Sequence, residues 1–342
     1  MTNNLNKILS NLKEKPPREL NDHILVIDAM NTLIRSFSLI KSMNPDGAHV
    51  GGVIGFLRSL GYLVRIFDPT RVLVVWDGKG GSSNRQNINP DYKAHRANTR
   101  ITHWGLYDSK AEEMEALIGQ LYRLQDYISC LPVQQIIMDK LEADDIIAYI
   151  GKQASMSKVD KCTIVSSDKD FLQLVDETIE VYAPIKKKTF TKDNIKEELK
   201  VIPENYNIVK ALLGDNSDGL KGVKGLGIKT ILSEFPDIVN KPQTNLDYIF
   251  EVCEKNLEGK KIFAKILNDW NKVNNNYEIM NLHATVLDNS EKNTILEVIK
   301  DSIPDLQTGA FLHLLDQDKI EGVTKNTEGW LENFRRLTVY KR

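Results

Sequence analysis

Three carboxylates stand within four residues in the segment Leu141-Glu142-Ala143-Asp144-Asp145. An apolar run at residues 133–138 precedes this segment and another at residues 146–150 follows it, which predicts a buried strand that leads into a helix. One or two of the acids would suit the positive end of that helix. Three acids repel one another and need a counter-charge, which a divalent cation commonly supplies. For this segment alone, helix capping and metal binding are both open.

Other apolar runs of the strand type also end on acids. These runs cover residues 23–27, 72–76 and 162–166, and the acids that follow them are Asp28, Asp77, Asp168 and Asp170. The carboxyl ends of parallel strands open on the crevice where α/β proteins hold their sites, so these acids are expected to meet the acids at 142–145. Amphipathic segments at residues 50–67 and 110–130 are predicted to be helices. For Asp28 alone, capping of the next helix is an equally good interpretation.

A second dense stretch follows at residues 214–230, where Asp215 and Asp218 precede a glycine-rich segment. Its glycines open a predicted helix that runs to residue 235, and they are Gly222, Gly225 and Gly227. Glycine lets a backbone approach a phosphate closely, and exposed amides at a helix start bind phosphate. The lysines of the segment add positive charge, and they are Lys221, Lys224 and Lys229. A helix, a glycine turn and a second helix would grip a duplex backbone without reading its sequence.

Residues 79–109 are polar and too long for an ordinary connection. Between residues 79 and 104 there is one acid, Asp91, and the basic residues are Lys79, Arg85, Lys93, Arg96 and Arg100. Residues 91–100 are compatible with a helix that carries the last three of these basic side chains on one face. A solvated basic loop and a flexible clamp on phosphates both explain the segment, and the acid cluster favours the clamp.

Composition bounds the class of protein. The chain has 342 residues, of which 41% are hydrophobic and 27% charged, as in an ordinary globular protein. No apolar run is long enough to span a membrane, and the first 22 residues lack a secretory apolar core. The three cysteines have no metal-type spacing and are expected to be reduced in a cytoplasm. Without the nine acids that follow the strands or precede the glycine-rich segment, which leaves Asp91 counted, the formal net charge changes from −2 to +7, which suits a nucleic-acid partner.

The motifs also exclude some classes of site. Asp28 is followed by Ala29-Met30-Asn31 rather than by a glycine-rich loop, which disfavours a dinucleotide site. The absence of a second Asp two residues later disfavours an aspartyl-phosphate phosphatase. The glycine-rich segment ends in Gly227-Ile228-Lys229-Thr230 and is therefore not a Walker loop.

Together, these stretches resemble the structure-specific 5′ nucleases, the flap endonuclease and 5′–3′ exonuclease group of phages and of bacterial DNA polymerase I. The motifs that carry the resemblance are Val26-Ile27-Asp28 with Arg35, Gly55-Phe56, Val75-Trp76-Asp77-Gly78, Tyr92-Lys93-Ala94-His95-Arg96, Glu142-Ala143-Asp144-Asp145, Ser166-Ser167-Asp168-Lys169-Asp170, Gly214-Asp215 with Asp218, and the segment from Gly222 to Thr230. They follow the family's order and spacing over about residues 23–235. Each motif alone is weak, but the set is specific.

The resemblance implies an α/β fold, with a twisted, mostly parallel sheet and helices on both faces (the PIN-like, or 5′-nuclease, fold). It also implies a helical arch at residues 79–109 and a DNA-binding helix–three-turn–helix at about residues 203–235. The expected organisation is an N-terminal tail at residues 1–22, a nuclease core at residues 23–200 and a helical region at residues 201–342.

The resemblance further implies a site with two Mg²⁺ ions, for which Mn²⁺ would substitute, and K⁺ at the glycine-rich turn. The implied metal-binding acids are Asp28, Asp77, Glu142, Asp144, Asp145, Asp168, Asp170, Asp215 and Asp218. Lys93 and Arg96 are expected to meet the scissile phosphate, with Asp28 and Asp145 also catalytic. The expected DNA contacts are Arg35, Arg85, Tyr92, Lys93, Arg96, Arg100, Lys221, Gly222, Lys224, Gly225, Gly227, Lys229 and Thr230. For Tyr92, packing inside the arch is as good an interpretation as stacking on a base.

The expected partners are DNA with 5′ flaps or ends, RNA/DNA hybrids and replication proteins, and the expected form is a monomer with no membrane attachment. The predicted location is the cytoplasm, or a host cytoplasm if the stand-alone form reflects a phage source. Two alternatives remain at this point. A metal-dependent single-strand ribonuclease of related fold would need neither the long arch nor the duplex grip. A non-catalytic junction-binding protein would have no use for so many repelling acids.

Overall fold

The computed structural model describes residues 18–94, 102–103, 105–157, 159–242, 244–284 and 286–340. Its centre is a six-stranded sheet with the order β3-β2-β1-β4-β5-β6. The strands are β1 (His23–Asp28), β2 (Arg71–Trp76), β3 (Gln134–Ile137), β4 (Lys161–Val165), β5 (Ile179–Ala183) and β6 (Lys188–Phe190). The first five pair in parallel, and β6 pairs antiparallel to β5. The predicted mostly parallel α/β sheet is therefore confirmed.

The helices of the described residues are α1 (Ala29–Leu39), α2 (Gly51–Phe67), α3 (Ser83–Ile88), α4 (Lys110–Ser129), α5 (Ala143–Met156), α6 (Lys192–Leu199), α7 (Tyr206–Leu213), α8 (Ile228–Glu234), α9 (Asp237–Asn240), α10 (Leu246–Lys255), α11 (Lys261–Asn268), α12 (Trp270–Met280), α13 (Asn289–Lys300), α14 (Thr308–Gln317) and α15 (Thr327–Arg335). Short 3₁₀ helices lie at Asp170–Leu174, Pro203–Asn205 and Arg336–Tyr340. A two-stranded hairpin joins α7 to the glycine-rich turn, and its strands are β7 (Gly214–Asp215) and β8 (Leu220–Lys221).

Helices cover both faces of the sheet because successive strand residues point to opposite sides. Ile24 and Val26 of β1 pack in one core with α5, α7 and α8. Leu25 and Ile27, which alternate with them, pack in a second core with α1, α2 and the C-terminal α14 and α15. Both cores join residues from the two sides of position 200, so the segment after residue 200 packs on the sheet through its own apolar side chains. In the described ranges, no helix has both the length and the apolar character that crossing a membrane requires.

Parallel pairing brings the strand ends together at one edge of the sheet. Asp28 lies opposite Val75, one residue before the end of β2, and Ile27 lies opposite Val165 at the end of β4. The acids that follow these strands consequently share that edge, as the sequence predicts.

The structure corrects the helix that the sequence predicts in the arch segment. The predicted helix at residues 91–100 is wrong at its start, because residues 91–93 form a turn in which Lys93 has a left-handed φ of 56°. Its remainder, residues 95–100, lies outside the described residues, as do residues 1–17 of the predicted tail. In the arch segment, α3 is the helix that the described residues form.

Candidate active site

Asp28 both caps a helix and faces the acid cluster. Its Oδ1 accepts a hydrogen bond from the backbone N–H of Asn31 at 3.1 Å, and its Oδ2 accepts one from Ser166 Oγ at 2.8 Å. The side chain is buried. Burial raises the pKa of Asp28 to about 7, with the charges of Asp77 and Asp168 adding to the rise and the two hydrogen bonds opposing it. The capping and active-site interpretations of Asp28 are thus compatible.

Helix α5 presents the central acids because its first turn begins at the carboxyl edge of the sheet. Asp77 accepts a hydrogen bond from Ala143 N at 2.8 Å, so the end of β2 caps this helix. Asp144 follows in the first turn, and no described residue donates a hydrogen bond to its carboxylate. Burial and the charges of Asp168 and Asp28 raise the pKa of Asp144 well above its usual value, although Lys93 opposes this rise. Asp144 is therefore the acid with the greatest need of a cation.

Glu142 is the most heavily hydrogen-bonded acid of the set. Its Oε1 accepts from Ser82 Oγ at 2.6 Å and from Lys93 Nζ at 2.7 Å, and its Oε2 accepts from Arg85 Nη1 at 2.5 Å and from the Tyr92 hydroxyl at 3.0 Å. Although burial opposes it, the charges of Arg85 and Lys93 hold the pKa of Glu142 below its usual value. All four donors come from the segment that enters the arch.

Arg85 is turned into the protein, which corrects its predicted role as a DNA contact. Its guanidinium forms a forked pair with Asp145, at 2.7 Å and 2.8 Å, and also binds Glu142. Its Nε donates to the carbonyl oxygen of Ile279 at the end of α12, at 2.9 Å. The side chain is buried, and each of its nitrogens binds a protein acceptor. In this arrangement Arg85 joins the arch segment, the acid cluster and the helical region.

Tyr92 is also buried, with 3% of its surface exposed, and packs against Leu220, Ile279 and Met280. Of its two interpretations, this placement favours packing over base stacking. The ammonium of Lys93 lies 4.9 Å from the centre of the Tyr92 ring. Arg96 and Arg100 lie outside the described residues, and no geometry is assigned to them.

Asp170, Asp215 and Asp218 form a second cluster of acids. One carboxylate oxygen each from Asp170, Asp215 and Asp218 lies within 4.8 Å of the other two, which is close enough for a shared cation. The Asp168 carboxylate accepts a hydrogen bond from Asp170 N at 2.8 Å, and its charge raises the pKa of both Asp28 and Asp144. Asp168 therefore connects this cluster to the acids at the ends of β1 and α5.

Lys210 of α7 is a buried cation that pairs with both Asp170 and Asp215. Its distance to Asp215 Oδ2 is 2.7 Å. Although burial opposes it, hydrogen bonding and charge from Lys210, with two hydrogen bonds from Ser217, lower the pKa of Asp215 to about 2. No motif in the sequence identified this lysine. The available signal was a lysine within the apolar helical stretch at residues 208–212, where it faces the core.

The conformation of the glycine-rich turn requires glycine at two positions. Gly225 has a left-handed φ of 83°, and a side chain on Gly222 would meet the carbonyl oxygen of Leu213 at 2.0 Å. The lysines that flank the turn are exposed, and they are Lys221, Lys224 and Lys229. Gly227 precedes the first residue of α8, and Thr230 is the third residue of that helix.

Sequence reasoning found no motif after residue 236, yet α11 and α12 support this turn. Asn276 is buried and donates hydrogen bonds to the carbonyl oxygens of Ala211 and Lys221, at 3.1 Å and 3.0 Å. Lys272 Nζ lies 3.4 Å from Gly222 O, and Lys265 Nζ lies 3.5 Å from Lys224 O. These two lysines add positive charge at the turn.

Arg35 lies apart from the acids on α1, seven residues after Asp28. It is partly buried and lines a cavity of about 440 Å³ together with residues such as Tyr62, Tyr182 and Lys187. The cavity lining contains two basic residues and no acid. The role of Arg35 as a contact for a nucleic acid stays a prediction.

The acid set fits divalent cations on the chemistry of its donors. Nine carboxylates face three built-in cations, Arg85, Lys93 and Lys210, which leaves six negative charges if all the groups are ionised. Two divalent ions would offset four of those charges, and hard oxygen ligands are what Mg²⁺ prefers. The built-in pairs also show that Glu142, Asp145, Asp170 and Asp215 already have cationic partners. Among the other acids, burial and neighbouring acids raise the pKa values of Asp28 and Asp144, so a metal ion would stabilise their charged forms.

Asp28→Asn is expected to change how stability depends on pH when a chelator is present. The folded-state pKa of Asp28 is about 7 and its ordinary value is 3.8, so native Asp28 keeps a proton that the unfolded chain releases between these values. The contribution of Asp28 to stability therefore falls as pH rises from about 4 to about 7. Asparagine cannot titrate but keeps an oxygen that can cap α1. Urea unfolding at pH 4.5 and pH 7.5 should show the variant gaining stability relative to the wild type at the higher pH. If the free energy of unfolding changes with pH in the same way for the variant and the wild type, the raised pKa of Asp28 is contradicted.

The chain matches known proteins over most of its length. The family model described as "5′-3′ exonuclease, N-terminal resolvase-like domain" matches residues 23–200. A 5′-3′ exonuclease of Bacillus subtilis (strain 168) is 28% identical over 318 residues, which cover 90% of this chain and 97% of that protein.

Solved structures show the same fold. The D15 protein of phage T5 with metal ions has a TM-score of 0.62 at 18% identity, over 86% of this chain and 99% of that chain. The T5 D15 flap endonuclease in a pseudo-enzyme-product complex with DNA and metal ions has a TM-score of 0.60 at 18% identity, over 87% and 99% of the two chains. At this identity, the likeness establishes the fold alone. The family model covers more than half of the 342 residues, so the protein belongs to the 5′–3′ exonuclease family and is a 5′ nuclease.

Proposed function

We propose that the protein hydrolyses phosphodiesters near the 5′ ends of branched or duplex DNA and of RNA/DNA, with two Mg²⁺ ions, and that it acts in primer removal during replication. One observation carries this proposal. The acids at the ends of β1, β2 and β4 and at the start of α5 share one crevice, and the arch lysine Lys93 reaches into it. Substrate phosphate and metal-binding acids would therefore meet at one place.

The residues divide into two groups around the crevice. Asp28, Asp77 and Asp144, with Glu142, would hold one ion, and Asp168 with the cluster of Asp170, Asp215 and Asp218 would hold the other. When bound, the Mg²⁺ ions would activate a water as Lewis acids and stabilise the leaving oxygen. Mn²⁺ would serve in place of Mg²⁺. Asp145 is proposed to act through Arg85, which it holds in a forked pair.

Cationic side chains of the arch would bind the substrate phosphate. Lys93 offers a compact point charge, and Arg96 would offer a fork suited to two phosphate oxygens. The Tyr92 hydroxyl donates a hydrogen bond to Glu142, the carboxylate that also accepts one from Lys93. Stabilising the negative charge that develops on a phosphoryl group is the main task of such residues.

The glycine-rich turn would hold the duplex at a distance from the cut. Its lysines are exposed and its backbone is fixed by Gly222, Gly225 and Asn276, so the turn can bind phosphates without reading bases. K⁺ at this turn, a monomeric form, a cytoplasmic location and contacts with replication proteins remain parts of the proposal.

Lys229→Ala is expected to weaken duplex binding and to lower the dependence of affinity on salt. One lost phosphate contact reduces the slope of log K against log salt by about 0.9. Lys255→Ala is the matched control, because Lys255 is an exposed lysine of α10 that pairs with Glu251. Fluorescence anisotropy at several salt concentrations measures both slopes. If the two variants have equal slopes of log K against log salt, Lys229 does not contact the DNA backbone.

The test of the proposed function is cleavage of a 5′-labelled flap duplex with Mg²⁺ or with chelator, beside blunt duplex and single-strand controls. Metal-dependent cutting at the junction, with short 5′ products, is expected. Cutting of single-stranded RNA alone would instead support the ribonuclease alternative. Junction binding without cutting in any metal would support the binding-protein alternative and overturn the proposal.

A further inference from the structure

Glu142 has no free acceptor site in this structure. An ionised carboxylate offers about four lone-pair sites, and Glu142 receives four hydrogen bonds, two on each oxygen. Its donors all belong to the arch segment, and they are Ser82, Arg85, Tyr92 and Lys93. A metal ion can therefore use a Glu142 oxygen only if one of these donors leaves.

Two of the donors are held firmly by other contacts. Arg85 is buried and also binds Asp145 and the Ile279 carbonyl oxygen, so leaving Glu142 would not free it. Tyr92 is buried against the apolar side chains around Ile279. Ser82 is uncharged, so an incoming cation would not repel it.

Lys93 differs from Ser82 and Tyr92 in its charge and from Arg85 in its freedom. It is a cation, and Glu142 is the hydrogen-bond partner that the structure gives its ammonium. In the present position only 16% of the Lys93 side chain is exposed. The next residue, Ala94, is exposed, so solvent lies close to the lysine. The Lys93 backbone N–H donates to the Asp218 carbonyl oxygen at 2.9 Å, so the side chain can swing while the backbone stays in place.

The pairing with Glu142 limits what Lys93 can offer to a substrate phosphate, even though its ammonium has three N–H donors. In its present position it neutralises Glu142, and an ammonium paired with a buried carboxylate has little charge to offer to a substrate phosphate. The Asp144 charge lies close enough to Lys93 to affect its pKa, which provides a second acid near the path of the side chain.

We propose that Glu142 and Lys93 form a latch. Lys93 stays on Glu142 until a divalent cation takes that oxygen, and the released ammonium then faces the substrate phosphate. The latch makes the binding of metal a condition for full binding of the scissile phosphate. This inference rests on the proposed function, because it uses Glu142 as a metal ligand and Lys93 as a phosphate contact.

The latch is tested by the reactivity of the Lys93 amine toward an acetylating reagent, measured by mass spectrometry on the full chain without DNA. Addition of Mg²⁺ or Ca²⁺ alone is expected to raise acetylation of Lys93 about tenfold over the rate with chelator, because a charged hydrogen bond is lost. Lys79, an exposed lysine of the same segment, is the internal control and should not change. Unchanged or slower acetylation of Lys93 would overturn the latch.

Glu142→Gln gives a second measurement that needs no metal. The neutral amide keeps the volume of the side chain but removes the charge that holds Lys93, so Lys93 should react rapidly with or without metal. Slow acetylation in this variant with chelator would overturn the latch by itself.

The melting temperature separates the latch from the proposed function. If metal ions raise it while Lys93 reactivity stays constant, the latch is wrong and the metal site stands. If metal ions neither raise it nor support flap cleavage, the proposed function fails together with the latch.

Discussion

Asp144→Asn is expected to lower kcat on a flap substrate by on the order of 1000-fold, which corresponds to about 4 kcal/mol. The Asp144 carboxylate receives no hydrogen bond from a described residue, and burial together with Asp168 and Asp28 raises its pKa. Such a group is costly without a cation and well suited to bind one. Asparagine keeps the volume but removes the charge, so the loss should appear in kcat, with DNA binding largely preserved.

The same variant should be more stable than the wild type when a chelator is present. Removing the Asp144 charge relieves its repulsion with Asp168 and Asp28, and Mg²⁺ should then raise the melting temperature less than it does in the wild type. Asp139→Asn is the matched control, because Asp139 is exposed and lies five residues earlier. A variant that cuts normally, or that melts lower than wild type in chelator, would contradict the role of Asp144.

The acids of the site could be predicted because each one is marked by the apolar run before it, and because the parallel topology places the ends of these runs at one edge. Each buried strand shows as an apolar run, and the residue after it is visible in the sequence. Parallel pairing then brings the ends together, as Asp28 opposite Val75 shows. No long-range information was needed to expect Asp28, Asp77 and Asp168 at one edge.

The cations that neutralise these acids were harder to predict. Arg85 binds Glu142 and Asp145 across 57 and 60 residues, and nothing in its own segment distinguishes it from the basic residues near it. Its sequence context predicted a DNA contact, but the packing of α3 beside α5 and α12 turned it inward. Lys210 carried a better signal, since it interrupts an apolar helix face.

The segment around Lys93 shows how tertiary contacts override periodicity. The spacing of Lys93, Arg96 and Arg100 suits a helix, but Lys93 adopts a left-handed φ of 56°. Its N–H bonds to Asp218 rather than to a carbonyl of its own segment, and its side chain pairs with Glu142. Both partners lie far away in the sequence, so no local pattern contains this information.

Arg85→Met is expected to reduce the free energy of unfolding by about 3–5 kcal/mol, a large fraction of the about 5–15 kcal/mol that is typical of folded proteins. The reason is the charge that the substitution leaves behind. Asp145 would lose its forked partner inside the protein, and Glu142 would lose one of its two cations. Although burial opposes it, the charges of Asp145 and Glu142 raise the pKa of Arg85. Burial raises the pKa of Asp145 even with Arg85 beside it, so an unpaired Asp145 carboxylate would be costlier still. Urea unfolding in chelator measures the loss.

Two further variants separate charge from shape at this position. Arg85→Lys keeps a positive charge but cannot form the fork with Asp145 or reach the Ile279 carbonyl oxygen in the same way, so a smaller loss is expected. Arg85→Met combined with Asp145→Asn removes the unpaired charge as well as its partner, and should recover part of the stability that Arg85→Met loses. If the double variant is no more stable than Arg85→Met, then the burial of an unpaired Asp145 is not the source of the loss. In that case the contact to Ile279, and with it the connection between the arch and the helical region, becomes the main contribution of Arg85 to stability.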